Sequence, residues 1–309
     1  MRDQPRRAVA LVGATATGKS AIAHEVALRS GGDVQVVCVD SMTVYRGMDI
    51  ATAKATPSQR REVRYHLLDL IEPREEFTVS QFQGAARAAA QGIWSTGAAV
   101  LYVGGTGLYG RAVIDDLDIP GQFPEVRAEL EARSDDVTVL HQELGRRDPV
   151  AATRMEPTNR RRIVRALEVC IGAGRPFSSF GPGLRHYGAP RVVQVGLNCE
   201  FDVLDVRIRR RFEAWMEQGL LEEVVHLREQ GMSRTARQAV GYRELLRHLE
   251  EGADLDECIE DAITQSRRLA RRQRSWFQRD PRVLWFDEPA DAAKRLEQVL
   301  NGSDGFVRD

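Results

Sequence analysis

The stretch that decides the fold is Ala10–Ser30, "ALVGATATGKSAIAHEVALRS". An apolar run leads into its centre and an amphipathic run follows, which predicts a strand, a loop and a helix. The loop fits the phosphate-binding pattern G-x-x-x-x-G-K-[ST]. Backbone N–H groups surround an anion in such a loop, the lysine adds a positive charge, and the last hydroxyl can bind Mg²⁺. We therefore predict a di- or triphosphate site formed by Gly13, Ala14, Thr15, Ala16, Thr17, Gly18, Lys19 and Ser20, with Mg²⁺ on Ser20.

Short apolar runs alternate with helical patterns along the rest of the chain. This alternation predicts an α/β fold, with a P-loop parallel sheet core and helices on both faces. The helices are predicted at about 18–30, 79–96, 202–217, 219–230, 241–250 and 255–279. The predicted strands are Ala8–Val12, Val34–Val39, His66–Ile71, Ala98–Val103, Arg191–Leu197 and Val283–Phe286.

The alternation breaks between Ile119 and Ala189, where Gly, Pro and Ser residues flank two helical patterns, "PEVRAELEARS" and "TNRRRIVRALEVCIGAG". We therefore predict that residues 1–119 form the first part of the core and that 120–189 form a helical insertion domain. Residues 190–309 are predicted to complete the core and to add C-terminal helices.

Composition sets limits on the class of protein. The chain has 309 residues, a net charge of −1 and four cysteines without metal-ligand spacing, which is typical of reduced thiols. No apolar stretch approaches the roughly 20 residues that a membrane-spanning helix needs, so we predict a cytoplasmic protein with no membrane partner. Lysine occurs only at Lys19, Lys54 and Lys294, so nearly all positive charge is arginine.

Asp40 is the first candidate for catalysis outside the loop. It follows a predicted strand in "VVCVDSMTVYRGMDIATAK", so it is predicted at the carboxyl edge of the sheet beside the phosphate loop. A carboxylate there can bind a metal ion or act as a general base, and the pattern leaves both roles open.

Arginines concentrate in two further segments. One is the run Arg160–Arg165, and the other is "SRRLARRQRSWFQRDPR", Ser266–Arg282, with Trp276 and Phe277 among its arginines. Two separate basic helices suit an RNA stem-loop held through its phosphates.

Several motifs occur in an order that resembles one family. They are "GATATGKS", "VDSMTVYRGMDIATAK", "RYHLLDL", "LYVGGTGLY", "NRRRIVRALEV", "VGYRE" and "RRLARRQRSWFQRDP". Together they resemble the bacterial tRNA dimethylallyltransferases, the MiaA-type isopentenyl transferases. The resemblance implies transfer of a dimethylallyl group from dimethylallyl pyrophosphate to the exocyclic amine of the adenosine 3′ of the anticodon, with release of pyrophosphate. It implies tRNAs that read codons starting with U, Mg²⁺ as cofactor, and a monomer.

The resemblance also implies roles for individual residues. Asp40 matches the general base, Thr106 the mouth of the reaction channel, and Arg211 a leaving-group contact that Arg207 could support. Three positions depart from the usual pattern, namely Ala14, Ala51 and Gly107. The resemblance and the basic helices together predict tRNA contacts at Asp40, Ser41, Met42, Thr43, Thr106, Arg127, Arg161, Arg162, Ile163, Val164, Arg165, Gln238, Gly241, Tyr242, Arg243, Arg271, Arg272, Gln273, Arg274 and Trp276.

Other functions fit parts of the sequence. An ATP-dependent small-molecule kinase of the nucleotide type explains the loop, but it gives the two arginine segments no role. Prenyl transfer to free AMP leaves the same segments unused. An RNA-binding P-loop ATPase that modifies nothing explains the arginines, but it gives Asp40 and Thr106 no shared purpose.

Overall fold

The computed structural model describes residues 7–134 and 136–302. It divides into two compact units, one formed by residues up to Asp115 and from Ala189 onward, and the other by Asp116–Gly188. The first unit contains a six-stranded sheet whose pairings are all parallel. This confirms the predicted α/β class with a parallel sheet.

The sheet has the order β3-β2-β4-β1-β5-β6, so the first strand lies near its centre. The strands are β1 Ala8–Val12, β2 Val34–Cys38, β3 Tyr65–His66, β4 Ala99–Gly104, β5 Val193–Leu197 and β6 Val283–Phe286. Because side chains alternate along a strand, each strand contributes to both faces, and β1 is buried on both.

Helices cover the two faces unequally. On one face, α1 Lys19–Arg29 and α13 Pro289–Leu300 pack against residues such as Val9 and Leu11. The other face, with Ala10 and Val12, supports the larger core cluster. Its helices are α3 Val79–Ser95, α4 Gly107–Ile114, α9 Phe201–Glu217, α10 Leu220–Gln230, α11 Tyr242–Glu251 and α12 Leu255–Gln278, and the short α2 Pro57–Glu62 precedes β3.

The third strand is shorter than the sequence predicts. The apolar run His66–Ile71 indicates a strand, but only Tyr65 and His66 pair with β2. Leu67 and Asp69 have φ values of 65° and 55°, which break the extended backbone. The carboxylate of Asp69 accepts hydrogen bonds from Lys54 and Arg60, so polar contacts bend the chain away from the sheet.

The second unit is helical and has its own core, which includes Leu140, Leu144, Ile163 and Leu167. Its first and last helices match the two predicted patterns, and the two helices between them were not predicted. Asp148 begins one of these by accepting a hydrogen bond from the backbone N–H of Ala151 at 2.9 Å. The helices are α5 Pro124–Ala132, α6 Val137–Arg147, α7 Pro149–Thr153 and α8 Arg160–Gly172. The predicted domain boundaries and the role of the insertion stay predictions.

Candidate active site

The predicted phosphate-binding loop joins β1 to α1 at the carboxyl edge of the sheet. Three of its residues have positive φ values, 150° at Gly13, 65° at Ala16 and 98° at Gly18. At Ala16 this left-handed conformation is strained, because the methyl group crowds the backbone. A side chain at Gly13 would come within 3.1 Å of the Leu197 carbonyl at the end of β5. The loop is therefore curled tightly against the neighbouring strand.

Side chains of the loop hold its curled shape from inside. The Nζ of Lys19 donates to the carbonyl of Ala14 at 3.0 Å, and the Thr17 hydroxyl donates to the same carbonyl at 3.0 Å. Burial lowers the pKa of Lys19 to about 8, opposed by the charge of Asp40 and assisted by that of Arg211. Asp40 and Arg211 therefore both lie within electrostatic reach of Lys19.

Helix α9 supports the loop from outside. Arg211 donates to the Thr15 hydroxyl at 3.0 Å, and its guanidinium lies 4.6 Å over the ring of Trp215. One helical turn earlier, Arg207 reaches the carbonyls of Ala16 and Thr17 at 3.5 and 3.4 Å. Burial lowers the pKa of Arg211 to about 10. Its Nε atom is buried and has no hydrogen-bond partner among the described residues, so it remains available to an anion.

Asp40 lies two residues beyond the end of β2. Its Oδ1 accepts a hydrogen bond from the backbone N–H of Met42 at 2.8 Å, which makes the turn after the strand. Thr43 closes the same turn through a 3.4 Å bond from its hydroxyl to the Asp40 carbonyl, and its side chain is buried. The turn fixes the backbone around Asp40 and leaves the side chain partly exposed.

Thr106 follows the end of β4, the strand between β1 and β2, so it lies at the same edge of the sheet as the loop and Asp40. Its hydroxyl accepts from the backbone N–H of Ser41 at 3.4 Å. Thr106 also lines a narrow cavity together with Val39, Gly104 and Phe277. A Cβ at Gly104 would lie 1.9 Å from the Val39 carbonyl, so only glycine lets the ends of β2 and β4 approach this closely.

Two residues of α12 reach the same edge of the sheet. Gln273 accepts a hydrogen bond from the backbone N–H of Thr15 at 2.7 Å. The ring of Trp276 covers Gly107, where an added Cβ would lie 2.3 Å from Trp276 Cδ1. The unusual glycine at 107 is thus explained by the aromatic ring beside it.

The other predicted tRNA contacts divide by exposure. Arg161, Arg162, Gln238, Arg271 and Arg272 have exposed side chains that an RNA could reach. Arg274 is half-buried 4.6 Å over the ring of Phe201, and Arg127 and Arg243 form ion pairs with Glu131 and Glu244. Gly241 and the side chains of Ile163, Val164 and Tyr242 are buried. The tyrosine hydroxyl donates to Glu223 at 2.6 Å.

A charge network around the buried Lys54 was not predicted from the sequence. The side chain of Lys54 is 1% exposed and donates to Asp49 at 2.7 Å and to Asp69 at 2.6 Å. Glu223 accepts from the backbone N–H groups of Asp49 and Ile50. The only available signal was the rarity of lysine, since Lys54 is one of three lysines in an arginine-rich chain.

The fold and the site residues define a P-loop α/β protein with a carboxylate at the same sheet edge as its predicted phosphate-binding loop. The sequence model of IPP transferases matches residues 43–280, more than half of the chain. The chain therefore belongs to the IPP transferase family.

Individual relatives agree with this assignment. A tRNA dimethylallyltransferase from a Nocardioides species is 42% identical over 313 residues, which cover 99% of this chain and 100% of the relative. The tRNA dimethylallyltransferase of Mycobacterium tuberculosis is 44% identical over 292 residues, 91% of this chain and 92% of its own. The crystal structure of the full-length tRNA isopentenylpyrophosphate transferase from Bacillus halodurans is 36% identical, has a TM-score of 0.69 and covers 96% of both chains.

Proposed function

We propose that the protein transfers a dimethylallyl group from dimethylallyl pyrophosphate to the exocyclic amine of an adenosine in tRNA. In this reaction the bond from the allylic carbon to the pyrophosphate oxygen breaks and a nitrogen–carbon bond forms. The amine loses a proton to Asp40, and pyrophosphate leaves. The observation that carries the proposal is the position of Asp40 at the edge of the sheet where the loop lies, next to Ser41, which contacts Thr106, and close enough for its charge to act on Lys19. Membership of the IPP transferase family supports it.

Charge development explains the need for this loop. As the allylic carbon–oxygen bond breaks, negative charge grows on the pyrophosphate, and fixed donors that meet it lower the barrier. Lys19, the unpartnered Nε of Arg211 and the loop N–H groups are such donors. Adenine's amine is a weak nucleophile because its lone pair is delocalised, so a carboxylate that removes its proton contributes directly.

Mg²⁺ fits the site as a partner of the substrate. Among the described residues no group of three or more His, Cys, Asp or Glu side chains could form a metal cage. Mg²⁺ commonly uses one or two protein oxygens plus phosphate oxygens and water, and the exposed Ser20 hydroxyl at the start of α1 offers one such oxygen. When bound, the ion would neutralise charge on the leaving pyrophosphate.

The tRNA is proposed to bind through its anticodon stem-loop. Exposed arginines on α8 and α12 would contact phosphates, and the target adenosine, 3′ of the anticodon in tRNAs reading codons that start with U, would leave its stack to reach Thr106. Within the described residues no helix is long and apolar enough to cross a bilayer. The monomeric state and the cytoplasmic location stay predictions.

One assay separates this reaction from its rivals. The protein is incubated with labelled dimethylallyl pyrophosphate and Mg²⁺, and with either an anticodon stem-loop RNA or AMP, in the absence of ATP. We expect label in the RNA and stoichiometric pyrophosphate. Label in AMP alone would favour transfer to the free nucleotide. Phosphate release that requires ATP, without a prenylated product, would favour a kinase or an RNA-dependent ATPase.

The matched variant for this assay is Asp40→Asn, which keeps an oxygen for the turn to Met42 and removes the base. We expect single-turnover transfer to fall at least about 100-fold, the usual contribution of a general base, while RNA binding stays within about twofold. Transfer at the wild-type rate would remove Asp40 from the mechanism.

A further inference from the structure

Gln273 is placed in an unexpected position for a residue of a basic RNA-binding helix. Its side chain is half-buried, and its Oε1 accepts from the Thr15 backbone N–H at 2.7 Å. A Cβ at Gly105 would lie 2.6 Å from Gln273 Nε2, so the amide is confined between Gly105 and the phosphate loop. Arg271 and Arg272, the two residues immediately before it, are exposed. One turn of α12 therefore carries both a loop contact and the proposed RNA contacts.

Thr15 is the point where two helices meet the loop. Its hydroxyl accepts from Arg211 of α9 at 3.0 Å, and its N–H donates to Gln273 of α12. The loop itself contains the strained conformation at Ala16. A strained loop keeps its shape only when its surroundings hold it, and Gln273 is the support that comes from α12.

We propose that Gln273 is a positioning residue that couples tRNA binding on α12 to pyrophosphate binding in the loop. This inference rests on the proposed function, because it takes the exposed arginines as RNA contacts. RNA phosphates on Arg271 and Arg272 restrict the motion of α12, so Gln273 holds Thr15 and the loop amides in the shape that binds an anion. Each ligand then raises the affinity for the other by the same factor, as linkage requires.

The test measures the two affinities directly by titration calorimetry. The probes are inorganic pyrophosphate with Mg²⁺ and an anticodon stem-loop RNA, each titrated with and without a saturating amount of the other. In the wild type we expect pyrophosphate to bind at least about fivefold more tightly in the presence of RNA, the lower end of typical allosteric coupling. In Gln273→Met, which has a similar length but no acceptor oxygen, we expect this factor to fall below about twofold.

Two further variants separate coupling from other effects. Gln273→Glu keeps the acceptor for Thr15 N–H and adds a charge, so pyrophosphate should bind more weakly while the coupling factor persists. Gln278→Met changes an exposed residue at the end of the same helix and should retain the wild-type factor. Circular dichroism and thermal melting of each variant verify that it is folded.

Distinct results would overturn the inference. If the wild type binds both ligands and prenylates RNA but the coupling factor is one, the inference fails and the proposed function stands. A wild-type factor that survives in Gln273→Met, or that Gln278→Met also abolishes, would likewise exclude Gln273 as the link. A wild type that binds no RNA would overturn both the inference and the proposed function.

Discussion

The two arginine-rich segments, the start of α8 and Ser266–Arg282, use arginine differently. In α8, Arg160 donates to the Arg133 carbonyl, and Arg165 donates to Glu168 and to the carbonyls of Pro120 and Gly121. Only Arg161 and Arg162 of that run are exposed.

In Ser266–Arg282, more of the arginines are exposed. Arg268, Arg271 and Arg272 are exposed, whereas the side chain of Arg282 is only 9% exposed and lies between Asp115 and Asp280. Arginine therefore has two functions in each segment, to hold the protein together and to present charge. The number of arginines in a segment does not distinguish these two functions. Substitutions at single positions distinguish them.

The largest effect is expected at Arg282, which is 9% exposed. It donates to Asp115 at 2.9 Å and to Asp280 at 2.6 Å, and Asp280 is 4% exposed. Arg282→Met removes the guanidinium that pairs with the buried Asp280, whereas Asp115 keeps its ion pair with Arg111, so we expect the free energy of unfolding in urea to fall by about 3 kcal/mol. The exposed Arg279→Met should change it by less than about 0.5 kcal/mol. Equal losses of unfolding free energy at the two positions would show that the ion-paired Arg282 stabilises the protein no more than the exposed Arg279 does.

A smaller effect, on RNA binding alone, is expected for Arg271→Gln combined with Arg272→Gln. Loss of two phosphate contacts should weaken stem-loop binding roughly tenfold at 0.15 M salt and reduce the slope of log K against log salt by about two. Unfolding should be unchanged, because both side chains are exposed. The control is Arg61→Gln with Arg64→Gln, an equal loss of charge on other exposed positions. A salt slope that shifts equally in both double variants would mean that only net charge matters.

In α8 the same comparison, between an arginine with protein partners and exposed arginines, predicts a smaller difference in stability. Arg165→Gln removes the cation from Glu168, which is 1% exposed, and two bonds to backbone carbonyls, so stability should fall by about 1 to 2 kcal/mol. Its salt slope for RNA should match that of the wild type. Arg161→Gln with Arg162→Gln should do the reverse, with a smaller slope and unchanged urea unfolding. A shallower slope in the Arg165 variant would make that residue an RNA contact as first predicted.

The smallest expected effect is a pH dependence. Burial raises the pKa of Asp280, but hydrogen bonds from Arg282 outweigh it and hold the pKa below its usual 3.8. A lowered carboxyl pKa stabilises the folded state above 3.8, and this contribution is lost as pH falls through the folded-state value. In Arg282→Met the guanidinium is lost, and among the described residues only the backbone N–H of residue 282 and Gln194 still donate to Asp280 against the effect of burial. The pKa of Asp280 therefore rises, and its protonation stabilises the folded variant as pH falls. The stability difference from the wild type should therefore shrink by about 1 kcal/mol between pH 7 and pH 4, measured by urea unfolding. A difference that stays constant would refute the ionic explanation.

Much of the core could be predicted from sequence, because its signals are local. The apolar run Ala8–Val12, the loop pattern and the helix after it occupy the predicted places. The strand at His66–Ile71 was wrong beyond its first residue, because hydrogen bonds from Lys54 and Arg60 to Asp69 bend that segment. Those partners lie several residues away along the chain, and the hydrophobic periodicity of the segment does not indicate them.

The sequence predicts those residues of the candidate site whose proposed role follows from the type of side chain. The pattern and the resemblance led to Lys19, Asp40 and Arg211, and in the folded chain the charges of Asp40 and Arg211 both act on Lys19, while the catalytic roles of the three stay predictions. Burial was not predictable, because the arginines of α8 and α12 look alike in sequence and differ only in which carboxylates and carbonyls the folded chain brings to them. For the same reason Gln273 was predicted to face RNA, although its amide contacts the loop.

The close contact between Trp276 and Gly107 also constrains how this sequence can change over time. A methyl group at 107 cannot coexist with the indole in its present place, since the two would overlap at 2.3 Å. A lineage that acquires a side chain at 107 must therefore shrink or displace the indole beforehand, or change both codons together. Reconstructed ancestors should record that order of events, and a library randomised at both positions should recover the two changes as a pair.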